Sequence, residues 1–502
     1  MLFLHNSLRF LKVIFILYKR GALFILSDLK ILPEFFVSTL SIFSIRTKSI
    51  PKGKRIKLIL EDLGPFFIKF GQTLATREDL IGPEIAMELS ALHDKLTPKL
   101  DRSSVSKLIK KELGKDIDEI FKSFSEKPIA AASIAEVFKA EDFSGNIVAV
   151  KILKPGIKDE FEKDIQLFLW LATIFEKRFK AARRLKPIEV VRSFEKGVKI
   201  EMDFTLEAAA ASELKENHKD DEGIHVPTVF WDKVSQNILT IEWVKGIPIN
   251  RISELKKKKI DIKKVIHNFT YMFLNQAYRD GFFHADIHPG NVLIQDDGTI
   301  SLIDFGIMGR LDKETKLYLA EILKGFLERD YDYVARVHFD AGYVSKEYSI
   351  AEFAQACRAV GEPIVGMPAN KISIGKLLSK LFKVTRDFDM PTQTKLILIQ
   401  KTTVVAEGIV SKLDPEINMW DVIEPWVKNW SEKNMGFDEK IMSILEDVSS
   451  FIRKDIVEFV RSKNEGTDTR NKVIIKENNN SLKIVILLLA LLSSVLIIDK
   501  LI

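Results

Sequence analysis

Three side chains in one short stretch, Asp286, Asn291 and Asp304, have the types and the spacing that phosphoryl transfer from ATP requires. They lie in FHADIHPGN and LIDFG, with Asn291 five positions after Asp286 and Asp304 thirteen positions after Asn291. A carboxylate such as Asp286 orients an attacking hydroxyl or water. An amide and a second carboxylate hold the magnesium ions that bridge the phosphates. Either fragment alone is common by chance, but the two in order and in register are not. Lys151 ends VAVK, where a lysine reaches the α- and β-phosphates if a glutamate on a nearby helix holds it. Glu201 and Glu207 in EMDFTLEAAA are candidates, with Asp203 between them. Spacing does not choose among these acids, because the three cannot all present one helical face. His284 and His288 have a metal-like HxxxH spacing, but Pro289 and Gly290 break any helix that would align them, which leaves a scaffold role.

Two departures set the chain apart from ordinary protein kinases. Where a glycine-rich phosphate loop belongs, it has Ile129, Ala130, Ala131, Ala132, Ser133, Ile134, Ala135, Glu136 and Val137. Alanine methyls forbid most of the positive-φ conformations that let glycine amides approach phosphates. A nucleotide-covering loop that binds less freely is the expectation, against a plain packing segment. Beyond Gly306 the chain runs through Gly309 and Arg310 into a helix, with no Ala-Pro-Glu and no activation segment. The usual platform for a peptide substrate is therefore absent.

The elements that position these residues follow from periodicity. Residues 1–50 form a membrane-proximal helical segment, and 51–125 a helical extension broken by Gly-Pro pairs. Residues 126–246 read as a small sheet-bearing lobe. It holds two strands joined at Ser144-Gly145-Asn146, two helical stretches (the second running from Val190 to Asn217), and a strand pair, HVPTVFWD and NILTIEWV. Residues 247–460 read as a large helical lobe, 461–481 as a polar linker and 482–502 as a transmembrane anchor. The fold class is α+β, two lobes with helical additions at both ends.

Composition narrows the class. The 502 residues suffice for at least one large core, and 29% charged residues argue against general disorder. A net charge of +6 with acids and bases interspersed argues against a nucleic-acid partner. The one cysteine, Cys357, rules out an internal disulfide and reads as a small buried residue. The charge-free run from Ile484 to Ile498 is roughly 22 Å long as a helix, and extending it over Leu482–Ile502 reaches roughly 31 Å, close to a bilayer core. It is apolar on every face, so a membrane anchor is expected over a core helix. Near the other end, LRFLKVIFILYKRGALFILSDLK mixes aliphatics with Lys12, Lys19 and Arg20. That pattern suits a helix in the membrane interface, or one packed on the body.

KFGQ at Lys69–Gln72, AAASIAEV, VAVK, EMDF, HADIHPGN and LIDFG resemble the UbiB family of atypical kinases, from roughly Leu58 to Trp430. The resemblance implies a protein-kinase-like fold, ATPase activity and support of ubiquinone biosynthesis at a bacterial inner membrane, with the kinase-like body facing the cytoplasm. Carried onto this chain, it makes Asp286 the catalytic aspartate, Asn291 and Asp304 the magnesium ligands and Lys151 the ATP lysine. It makes Lys69 and Gln72 a signature on a helix across the cleft, where three-residue spacing lets both face the site. ATP and Mg2+ are the implied cofactors. Membrane lipids, ubiquinone precursors and other ubiquinone-biosynthesis proteins are the implied partners. Two rival readings are a small-molecule or lipid kinase with the same site, and a non-catalytic scaffold binding nucleotide and lipid.

Overall fold

The computed structural model describes residues 2–20, 50–75, 81–90, 92, 100–178, 186–363, 384, 387–390, 394–417 and 419–434. Helix α1 (Leu2–Lys19) packs on the body rather than standing free. It buries Ile16 and Leu17, and Arg9 meets Asp164 through two hydrogen bonds of 2.7 and 2.8 Å. Leu11 and Phe15 on the same helix remain exposed.

The helical extension comprises α2 (Lys52–Leu63), α3 (Pro65–Ala75), α4 (Pro83–Ser90) and α5 (Arg102–Leu113). Helix α3 is the one that carries KFGQ, and its glycine is there for close approach. A Cβ on Gly71 would stand 2.5 Å from Leu60 Cδ1 and 2.6 Å from Leu92 Cδ1.

The smaller lobe begins with β1 (Phe121–Phe124), β2 (Ala130–Ala131), β3 (Ala135–Asp142) and β4 (Ile147–Leu153), the last two joined by the expected turn. Helices α6 (Ile157–Arg178), α7 (Pro187–Glu201) and α8 (Phe204–Asn217) follow. Phe66 and Phe70 of α3 meet Phe168 of α6 and Phe194 of α7 edge to face, with ring centroids between 4.9 and 5.5 Å apart. Such contacts add about 0.5–1.5 kcal/mol each beyond burial, and they fix the extension to the lobe.

Two expectations need correction here. The stretch expected as one helix from Val190 to Asn217 is two, because Asp203 adopts extended backbone and its side chain caps α8 by accepting from the Thr205 amide. The strand pair is also incomplete. Thr228 and Phe230 hydrogen-bond along β6 (Ile238–Glu242), but Pro227 has no amide to give and residues 231–233 turn into a 3-10 helix. Upstream, β5 (Ile224–His225) pairs in parallel with a strand of the larger lobe. The smaller lobe's sheet therefore has the order β1-β3-β4-β6, with β2 also on β3.

In the larger lobe β7 (Ile247–Pro248) precedes α9 (Ile262–Leu274), which Asp261 caps and which continues as a π-helical turn through Asp280. Strands β8 (Phe282–His284), β9 (Val292–Ile294), β10 (Ile300–Leu302) and β11 (Met308–Arg310) are short and buried where they must align the site. The order β5-β10-β9-β7 makes one sheet, and β11 pairs with β8. Helices α10 (Lys313–Leu327), α11 (Tyr331–Asp340), α12 (Ile350–Gly361) and α13 (Thr394–Leu413) pack beyond. Cys357 is buried among Tyr331, Val334 and Phe353, as expected of a small core residue. Residues to Val427 form one unit, and a second runs from Lys428, of which 428–434 are described and helical. The linker and the proposed anchor at 461–502 lie outside the described residues, as does the expected helix from 435 to 460.

Candidate active site

The floor of the cleft is built by backbone geometry. Val292 and Leu302 are directly paired between β9 and β10. Asn291 and Ile303 continue the ladder through a 3.2 Å bond from the Ile303 amide to the Asn291 carbonyl. That places the asparagine beside the residue preceding Asp304. The Asn291 side-chain amide donates to the Asp286 carbonyl at 3.3 Å, and the Asp304 carboxylate accepts the Gly306 amide at 3.0 Å. His284 joins the two halves. Its Nδ1 lies 3.2 Å from the Asp286 amide and its Nε2 2.5 Å from the Asp304 carbonyl. With Nδ1 accepting and Nε2 donating, the ring is neutral, and burial holds its pKa below the ordinary value. His288 caps the following turn by accepting from the Gly290 amide. Both histidines are structural, as the broken HxxxH pattern implies.

The floor meets the smaller lobe through one cluster of charges. Lys151 Nζ lies 2.8 and 3.0 Å from the two oxygens of Glu207 and 3.3 Å from Asp304 Oδ2. Glu207 also accepts from the Phe305 amide at 3.4 Å. Burial opposes the charge on Lys151, but Asp304 and Glu207 outweigh it and hold its pKa above the usual lysine value. Burial likewise pushes Asp304 up, yet Lys151 and the Gly306 amide bring it down to about 2. Glu207, buried to 4% side-chain exposure, is pushed upward by burial against the pull of Lys151.

The acids of EMDFTLE thus have three separate roles. Glu207 holds Lys151, Asp203 caps α8, and Glu201 pairs with Lys69 of α3. Glu201 also lies against the Asp-Phe-Gly turn, since a Cβ on Gly306 would be 3.9 Å from its Cγ. Gln72 departs from the expectation that it faces the site with Lys69. Its amide donates to the Leu92 carbonyl at 2.9 Å and braces the extension.

The alanine loop is a small hairpin. Ala130 and Ala131 pair with Val137 and Glu136, and the Ala132 amide closes the turn onto the Ala135 carbonyl at 2.8 Å. Ile129 is exposed, while Ser133 and Ile134 are buried. Ala135 and Val137 stand opposite Leu153 and Lys151, so they share the lysine's face of the sheet. Glu136 points to the other face, fully buried, and accepts from the Leu100 amide at 3.1 Å. Its side chain is therefore not directed at the cleft, which corrects its place among the loop's candidate nucleotide contacts.

Two further lysines reach these elements. Lys154 donates to the carbonyls of Ala132 at 2.5 Å and Ser133 at 3.3 Å, holding the loop down. Lys401 of α13 places Nζ 3.5 Å from Asp286 Oδ1. Lys401 stands 115 positions beyond Asp286 in the chain, in LILIQKT, which shares in the family resemblance, but its spacing does not mark it as pointing back to Asp286.

Comparison with known proteins agrees with this architecture. The ABC1 atypical kinase-like domain matches residues 91–338, and the UbiB helical domain matches 357–418. A Pseudomonas putida protein named Probable protein kinase UbiB is 39% identical over 385 residues, covering 76% of this chain and 71% of that protein. An Azotobacter vinelandii protein of the same name is 39% identical over 395 residues, covering 78% and 73%. The solved Mycobacterium tuberculosis protein Rv3197, determined as a complex with erythromycin, superposes with a TM-score of 0.52 at 25% identity, over 70% of this chain and 90% of that one. With a kinase-like fold, mixed helices and sheets, and relatives this similar over most of its length, the chain belongs to the UbiB family of atypical kinases.

Proposed function

We propose that this protein is a membrane-associated ATPase or kinase that binds Mg-ATP and supports ubiquinone biosynthesis. The observation that carries the reading is the Lys151–Glu207–Asp304 cluster, which joins both lobes through charged groups at 2.8 to 3.3 Å. A lysine so held is aimed at phosphate oxygens, and the carboxylate beside it is ionised at every physiological pH. The donor set fits magnesium. One carboxylate (Asp304) and one amide oxygen (Asn291) are hard ligands, and magnesium takes one or two carboxylates together with substrate phosphates. Among the described residues no group of three or more His, Cys, Asp or Glu forms a metal cage, so the metal and the phosphates would enter as one unit. Bound there, magnesium would supply charge neutralisation for the nucleotide phosphates.

Asp286 orients the attacking oxygen and receives its proton, while Lys151 steadies the phosphates that stay behind. The alanine hairpin covers the nucleotide through its backbone and through the face that Ala135 and Val137 share with Lys151. Helix α3, tied through Lys69 to Glu201, narrows the entrance to the cleft. Release of ADP by the full-length protein, with and without liposomes and a polyprenyl-phenol mimic, tests the reading. Turnover that rises with lipid supports it, and turnover that requires the phenol identifies a small-molecule kinase. Nucleotide binding with no ADP under any condition would leave a scaffold.

Membrane attachment rests on the sequence at 482–502 and on lysines 472, 476 and 483 beside it, which fit a cytoplasmic body. No helix among the described residues is long and apolar enough to cross a membrane. Fractionation after a high-salt wash, comparing the full chain with one ending at Asn480, decides the point. If both chains stay equally membrane-bound, the C-terminal run is not the anchor.

A further inference from the structure

The loop from Asp286 to Asn291 reads D-I-H-P-G-N and contains no lysine or arginine. Two cations of the neighbouring elements are engaged elsewhere, Lys151 with Glu207 and Asp304, and Lys69 with Glu201. Charge that builds on a transferring phosphoryl group in a partly dry cleft needs a cation on the attacking side. One arrives from α13, in the segment that matches the UbiB helical domain.

Its placement is built, not incidental. Thr402, the next residue, is 1% exposed and its hydroxyl lies 2.8 Å from the Leu398 carbonyl within the helix and 3.4 Å from the Ala285 carbonyl. Ala285 immediately precedes Asp286. The helix is therefore seated on the catalytic loop one residue away from the lysine, which fixes Lys401 Nζ at 3.5 Å from Asp286 Oδ1. At that distance the ammonium neither forms a tight bond nor neutralises the aspartate outright, and both side chains are partly open to the cleft, at 35% and 42% exposure.

We infer that Lys401 is a positioning residue for phosphoryl transfer, supplied by the C-terminal helical segment to hold Asp286 and face the incoming γ-phosphoryl group. The inference rests on the ATPase reading above. In the step it serves, the oxygen of water or of an acceptor hydroxyl bonds to the γ-phosphorus and its proton passes to Asp286. The bond to the bridging oxygen breaks, and ADP leaves with the electron pair. Lys401 steers the aspartate and offsets charge on the group in flight.

The test uses the full chain, with ADP release and Mg-ATP affinity measured for Lys401→Met, Lys401→Arg, Asp286→Asn and the Lys401→Met/Asp286→Asn pair. Lys401→Met should lower kcat by about 10²-fold, in the range seen when one oriented donor is removed. Nucleotide affinity and melting temperature should stay within error, and Lys401→Arg should recover most of the loss. In the Asp286→Asn background the same change should cost less than about threefold, because the two act as a unit. Wild-type kcat in Lys401→Met, or a loss of affinity and melting temperature in step with kcat, would overturn the positioning role. Wild-type turnover in Asp286→Asn would overturn the site itself, and the role of Lys401 with it.

Discussion

Lys151–Glu207 and Lys69–Glu201 are chemically the same pair, with their glutamates six positions apart in one motif, yet they serve different parts of the molecule. The inner pair has a third charged member, Asp304, and a backbone donor from Phe305. The outer pair ties α3 of the helical extension to the end of α7. The break at Met202–Asp203 separates them: Glu201 ends α7, while Glu207 lies one turn inside α8. A motif of close-set acids is thus a branching point, feeding the Lys151–Asp304 cluster on one side and helix α3 on the other.

The largest effect should come from removing the third member of the inner cluster. Asp304→Asn should abolish magnesium-dependent nucleotide binding, more than about 100-fold by titration, since it deletes the carboxylate held for the metal. Asp286→Asn should leave binding near wild type and slow only turnover. Equal loss of binding in both variants would show that the division of roles is wrong.

Glutamine scanning of the two pairs comes next. Glu207→Gln should weaken Mg-ATP binding by about tenfold and lower stability by about 1–3 kcal/mol, the range for leaving a buried charged partner incompletely satisfied. Glu201→Gln should leave affinity within about twofold while hydrogen exchange quickens over Pro65–Ala75. If the two variants are interchangeable in either measurement, the inner and outer pairs are not distinct.

A smaller change is expected in the loop above the inner pair. Ala131→Gly should cost at most about 1 kcal/mol of folding and shift the ADP/ATP preference, because the hairpin gains conformations that alanine forbids. Nucleotide affinities identical to wild type would assign the alanines to packing.

The smallest is a pH effect. Burial lowers the pKa of both His284 and His338 in the folded protein. The unfolded chain then binds more protons below about pH 6.5, so stability should be full above that value and decline as pH falls through it. Urea midpoints between pH 8 and pH 5.5 measure this, and His284→Gln should flatten the slope. An unchanged slope would mean that His284 charges freely in the fold.

Legibility in the sequence followed how local each contact is. Asp286, Asn291 and Asp304 could be placed because β8, β9 and β10 are short and consecutive, so spacing along the chain fixes spacing in space. The partner of Lys151 could not be chosen, since the helix break that decides it depends on one capping side chain, Asp203. Glu136 differs for the opposite reason: it lies in the right motif, but strand alternation sends it to the far face, where its carboxylate accepts from the Leu100 amide. Lys401 was out of reach because its approach to Asp286 is set by how a distant helix docks, and no periodicity reports that.

One feature of the floor bears on pharmacology. Immediately after the Asp-Phe-Gly turn the chain is stitched back to the catalytic strand, by the Ala285 amide to the Ile307 carbonyl at 3.0 Å and by the pairing of Met308 with His284. Gly309 leaves no slack in this ladder, for a Cβ there would fall 2.2 Å from the Phe283 ring. Phe305 is buried at 1% exposure between these tethers. Kinase inhibitors that work by swinging this phenylalanine out and occupying its place would have to unzip a β-ladder first. Chemical probes for this protein should therefore be sought among adenine mimics that compete with nucleotide directly, and selectivity should be sought at the alanine hairpin and at α3.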